Sequence, residues 1–185
     1  MAIISGGAGG GGGIKLFDSG ALAAPAASID TGANGIAGGH VDLSIYIYVR
    51  SDRVAQQDNI NIRVNNDSGG NYDTQRLQGL NVTATSITAN AATALTGQAA
   101  TIPAASDTAG QFASIQIWIP SYDNTAGFKL ASVINSYADE TAAQNGAAVF
   151  SSSWRNTAAI TRLAITPVAG TNFVVGSRMA VYGTQ

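Results

Sequence analysis

The chain has 185 residues, enough for one domain with a core of its own, and its 9 basic and 11 acidic side chains leave a net charge of -2. With no cysteine and a single histidine it excludes disulfides, cysteine nucleophiles and the usual zinc ligand sets. The charge balance likewise excludes the concentrated positive field that nucleic-acid binding requires.

Charged residues make up 11% of the chain, against about a quarter in an ordinary soluble domain. Lysine occurs only at Lys15 and Lys129 and glutamate only at Glu140, so solubility rests on Asn, Gln, Ser, Thr and Asp. Such a surface is easily desolvated and suits a protein packed against other subunits. A secreted β protein with a Ser/Thr/Asn surface has the same composition. No apolar run approaches the roughly 18 residues of a membrane span. The start, Met1 to Gly7, lacks the basic and apolar regions of a signal peptide. The expectation is a protein made in a cytoplasm, with no membrane partner.

In chain order, residues 6–13 read GGAGGGGG, with maximal backbone freedom and nothing to bury. This predicts a flexible Gly-rich arm over 1–13, ahead of one β-sandwich domain over 14–185. The glycines are not followed by Gly-Lys-Ser/Thr, so they do not make a phosphate-binding loop. Val41 to Arg50 alternates with Val41, Leu43, Ile45, Ile47 and Val49 on one face, the period of a half-buried strand. Ile60 to Val64 repeats the alternation and runs into the turn chemistry of Asn65 to Gly70. Residues 84–110 are rich in Ala and Thr and have room for a short helix, against which Thr and Gly argue. Ile115 to Ile119 is a strand stopped at Pro120. Phe128 to Tyr137 predicts a strand pairing antiparallel with a neighbour. Ala159 to Ile165 and Met179 to Tyr182 follow, flanking a turn at 167–172. Short strands at regular intervals predict an all-β fold, a jelly-roll-like antiparallel β-sandwich of roughly eight strands.

Candidate chemistry is sparse. His40 stands alone before a strand, and a triad is recognised by a geometry that one residue does not supply. Asp139 and Glu140 are the one adjacent carboxylate pair, in a loop-like stretch, whereas glycosidase chemistry needs two carboxylates facing across a cleft. The cluster Asn65 to Asp73 has oxygen ligands enough for calcium but not the spacing of an EF-hand loop, and turn chemistry accounts for it. The Asn66 and Asn81 glycosylation patterns arise by chance in so Asn- and Thr-rich a chain. No catalytic, cofactor-binding or metal-binding residue is predicted, and the chain reads as a non-enzyme without a cofactor. Tyr46, Tyr48, Trp118, Tyr122 and Trp154 are aromatics able to stack on sugars. Alternation sets Trp118 opposite Ile117 and Ile119, towards an interface, whereas Trp154 reads as core.

The order of patterns carries a resemblance. A His-Val-Asp-Leu strand at 40–43 leads to Arg50-Ser51, and Val64-Asn-Asn-Asp67 runs to Asn71-Tyr72. Phe112 to Tyr122 and Lys129 come next, then Trp154 to Arg162, Asn172-Phe173 and Gly176-Ser-Arg-Met-Ala-Val-Tyr-Gly183. Over residues 40–183 the chain resembles a family of small tailed-bacteriophage virion structural proteins whose last strand reads Gly-Ser-Arg-x-x-Leu-Tyr-Gly; Val181 stands where that family has Leu. The resemblance implies a jelly-roll-like sandwich, often trimeric, on the virion surface, and no catalysis. Gly176 and Gly183 then permit turns or bulges at strand ends, Arg178 bridges to a carboxylate, and Asn66 and Asp67 cap their turn.

The expected function is a capsid decoration, or cement, protein: a homotrimer on the major capsid protein or another virion protein. Its expected interface residues are Gly9, Gly10 and Gly11 of the arm, Ile14 at its root, and Trp118 and Tyr122. Two other readings compete. A receptor-binding module of a tail or head fibre would bind host glycan at a shallow aromatic site near Tyr122 or Trp118. A glycan-degrading enzyme on the same fold would need a carboxylate pair, one of them with a raised pKa.

Overall fold

The computed structural model describes residues 13–97, 100–139 and 144–184. Of the arm expected over 1–13, residues 1–12, with Gly9, Gly10 and Gly11, lie outside the described residues, as does Glu140.

Twelve strands follow in order: β1 (Ile14–Asp18), β2 (Ile29–Asp30), β3 (Asp42–Val49), β4 (Gln57–Val64), β5 (Tyr72–Leu80), β6 (Thr83–Ala92), β7 (Ala100–Pro103), β8 (Ala113–Pro120), β9 (Lys129–Asp139), β10 (Gln144–Trp154), β11 (Leu163–Pro167) and β12 (Arg178–Thr184). Eight form one sheet in the order β1-β12-β3-β8-β9-β10-β5-β6, and four form a second in the order β2-β11-β4-β7. All hydrogen-bonded neighbours run antiparallel. The fold is all-β, and the two sheets make a sandwich-like arrangement.

Alternating apolar residues make these strands and set their register, because a slip of one residue would turn the core set out to solvent. Leu43, Ile45, Ile47 and Val49 of β3 lie beside Ile115, Ile117 and Ile119 of β8 on the inner face of the large sheet. They meet Ile60, Ile62 and Val64 of β4, Leu163 and Ile165 of β11, and Ile102 of β7 in one buried cluster. Trp154 is core, as expected, and its indole N–H donates to Asp67 at 2.7 Å. Asn135 of β9 is buried between the sheets and holds the main chain of Thr101 in β7 twice: its side-chain oxygen accepts the Thr101 N–H at 3.0 Å and its amide donates to the Thr101 carbonyl at 3.1 Å. A side chain here completes backbone hydrogen bonding that burial would otherwise leave unpaired.

One expectation holds and two change. No described residue is helical: the Ala/Thr-rich stretch that had room for a helix forms β6 and β7, because Thr and Ile suit a pleated strand and β5 offers a ladder. The strand placed at 159–165 begins only at Leu163, since Asn65 captures the N–H groups of Thr161 and Arg162 with its side-chain oxygen. Gly176 does sit in a turn, at φ 91°, but Gly183 lies inside β12, where a Cβ would come within 2.5 Å of the His40 ring. Close approach of a side chain, not a turn, requires that glycine.

Several motif residues are polar staples. The buried Arg50 guanidinium donates to the carbonyls of Thr108, Gln111, Ala105 and Asp107, clamping that loop to the end of β3. The buried Lys129 ammonium donates to the carbonyls of Asn124, Gly127 and Thr157, and burial draws its pKa down. Tyr72 is buried, its hydroxyl pushed up to about 12, and it accepts the Val64 N–H at 3.1 Å.

Candidate functional site

The outer face of the large sheet is the extended feature of the molecule, because the four-stranded sheet covers only the other side. Its residues are those that alternate with the core set, and its two halves differ in chemistry.

Over β12, β3 and β8 the face is aromatic and polar. Tyr46 and Tyr48 point outward from β3 and are 47% and 48% exposed, while Ile45, Ile47 and Val49 are fully inside. Each ring is propped by another: Tyr46 meets Tyr182 edge-on with centroids 5.8 Å apart, and Tyr48 stacks on Phe112 at 4.6 Å. With Ser44, Ser114 and Arg178 these tyrosines line a cleft of about 630 Å³. Arg178 is held there by Asp18, whose carboxylate accepts from its Nε at 2.9 Å and from Nη2. That guanidinium, helped by the Gly20 N–H and Lys15, keeps the Asp18 carboxyl well below the usual carboxylate range. Arg178 does bridge to a carboxylate, as the motif implied.

Over β9, β10 and β5 the middle of the face is aliphatic and uncharged, with Asp73, paired to Arg155, at its end. Ile134, Val149 and Leu77 are direct cross-strand partners along one line, each more than half exposed, with Leu130 nearby at 61%. Cβ atoms in such a row lie about 5 Å apart and form one surface. Around them stand Ser132, Ser136, Ala147, Ser151, Gln75 and Gly79, none of them ionisable. The sheet then ends in β6, which is exposed or half-exposed along its whole length. From Leu77 through Ser106 the chain has no ionisable side chain. The edge therefore lacks the Lys, Pro or inward charge that ordinarily blocks edge-to-edge pairing.

The expected interface residues separate. Trp118 is 45% exposed on the outer face, its indole N–H donating to Asp42 at 3.2 Å. Ile14 is exposed at the start of β1, paired with Gly183. Tyr122 is not on the surface: it is fully buried, its hydroxyl donates to the Ala37 carbonyl, and its own carbonyl accepts the Ile160 N–H at 2.9 Å. The turn at 121–124 folds its ring inward, so a sugar site at Tyr122 is ruled out. Sequence reading picked out Tyr46 and Tyr48 singly. It missed the assembly with Tyr182 and Arg178, because β12 and β3 become neighbours only through pairing across most of the chain.

Several of the described carboxylates have structural partners. Asp30 is held low by a forked contact with Arg162. Asp52 accepts the N–H groups of Thr171 and Asn172, and Asp58 those of Ala169 and Gly170. In the Asn65 to Asp73 turn, Asp67 accepts from Trp154, Asn71 and Gly69. Burial raises its pKa, but those donors outweigh burial and the net shift is downward. Among the described residues no group of three or more His, Cys, Asp or Glu is placed to hold a metal ion.

Compared with protein-family models, with curated proteins and with solved structures, the chain finds no match.

Proposed function

We propose that the chain is a non-enzymatic structural protein of a bacteriophage particle, a capsid decoration protein that cements neighbouring subunits at the virion surface. The observation that carries this reading is the aliphatic row Leu77, Val149 and Ile134, set among uncharged neighbours beside the unprotected β6 edge. Covering such a face releases water from apolar surface without stripping solvent from charges, the favourable case for a subunit contact. Three copies about a threefold axis, seated on the major capsid protein, would bury it. The order of motifs from His40 to Gly183 supports the same reading by resemblance, and with it a jelly-roll descent for the sandwich. The carboxylates support the non-enzymatic part: Asp18, Asp30 and Asp67 are pulled below their ordinary range, opposite to a general acid's requirement.

The test is to mix purified protein with phage particles lacking it and locate the added density by electron microscopy. Regular density across the head lattice is expected. Density confined to the tail, or none at saturating protein, would sink the decoration reading.

A further inference from the structure

The cleft over β12, β3 and β8 has a chemistry that subunit packing does not use. Two tyrosines in the middle of a sheet stay half exposed, although neighbouring outward positions are Ser44, Ser114 and Ala180. Tyr46 and Tyr48 are two residues apart on one strand, which spaces their attachment points by roughly 7 Å. Tyr182 and Phe112 hold the two rings in place, so little side-chain freedom is lost when a ligand stacks on them.

We propose that this cleft is a binding site for a neutral oligosaccharide. A sugar ring presents C–H groups on its faces and hydroxyls around its rim. The tyrosine rings meet the first, and the hydroxyls of Ser44, Ser114, Tyr46 and Tyr48 meet the second. The Arg178 guanidinium, fixed on one side by Asp18, adds N–H donors at the cleft wall. Asp18 is shared by Arg178 and Lys15, which leaves a residual positive charge at the wall, but every other lining residue is uncharged, the match for a chain of neutral sugars. A purely aliphatic ligand would leave the serine hydroxyls and the guanidinium without partners. The cleft volume of about 630 Å³ falls within the roughly 300–1,000 Å³ of small-molecule sites. The site is separate from the aliphatic row, and the inference stands or falls independently of the assembly reading.

The experiment titrates the full-length chain with maltohexaose, cellohexaose and chitohexaose, following the tyrosine ring signals by NMR. The expected result is saturable binding of at least one hexasaccharide, with shifts centred on Tyr46, Tyr48 and Tyr182. Tyr48→Ala should weaken binding about tenfold or more, and Tyr46→Ala likewise. Both positions are exposed, and an unchanged amide spectrum elsewhere checks that the variants fold. Three outcomes would overturn the inference: no shift with any of the three at about 10 mM, shifts centred on Trp118 instead, or binding that both variants retain. Binding of heparin with none of the neutral hexasaccharides would also reject it.

Discussion

The two halves of the large sheet's outer face rest on one buried cluster and have opposite surfaces. Beneath the first half the inward side chains are chiefly Leu, Ile and Val, and beneath the second Val133, Phe150, Tyr72 and Trp154 stand among Thr74, Arg76, Gln78 and Ser152. On the outside, the β12-β3-β8 half holds its residues by ring contacts and by the Asp18–Arg178 pair. The β9-β10-β5 half has Ile134, Val149 and Leu77 standing among serines and alanines, with no charged neighbour in the row. A core constrains only one side of a strand, so the two outer surfaces were free to diverge. The first is shaped to hold a small polar ligand with fixed groups. The second suits a broad, dry contact.

The largest effect comes from removing the floor under the aliphatic half. Phe150→Ala should cost about 3–5 kcal/mol in urea denaturation, and loss of less than about 1 kcal/mol would mean that half is not packed as described. Asn135→Ala should cost about 2–4 kcal/mol, since it strands the buried N–H and carbonyl of Thr101. An isosteric Asn135→Leu that restored full stability would show the sheet-to-sheet hydrogen bonds to be dispensable.

Acid sharpens the contrast next. The folded pKa of Asp18 is depressed, so its contribution with Arg178 is present above the unfolded value of about 4 and is lost as pH falls through the folded one. Asp30 with Arg162 behaves in the same way. The aliphatic row has no titrating group. Lowering the pH below about 4 should loosen β1 and the Arg178 wall while amide exchange around Ile134 and Val149 stays slow, away from the β10 end where Trp154 donates to the likewise depressed Asp67. Equal loosening of both halves would break the comparison. The smallest effect on stability should come from Val149→Asp, about 1 kcal/mol or less at an exposed position. It should nevertheless abolish self-association in sedimentation while Tyr46→Ala leaves association unchanged. The opposite pattern would move the contact surface to the aromatic half.

How far the sequence reached follows the same division. Strands with strict alternation, β3 and β8, were legible to within a residue or two, and Trp118 was rightly turned outward because its neighbours Ile117 and Ile119 face the core. β5 and β10 were not legible: Tyr72, Thr74, Arg76 and Gln78 point inward on β5, and the buried side of β10 mixes Ala148 and Phe150 with Ser152. Their inward sides carry too little apolar contrast to show a period of two. With β5 and β10 unseen, the aliphatic row that Leu77 and Val149 complete could not be found. Tyr122 was misplaced for a different reason. A turn residue has no alternation to fix its side, and only the loop carrying Ala37 decides that the ring goes in.

Alone, then, the sequence determined the fold class, the strictly alternating strands β3 and β8, and the charge-poor composition, because these follow from local period and composition. Tertiary structure decided which outward residues become neighbours. It brought Tyr182 beside Tyr46, set Arg178 against Asp18 and aligned Leu77 with Val149 and Ile134. Strand order and register create those meetings, and both depend on pairings between segments far apart in the chain, which no local pattern specifies.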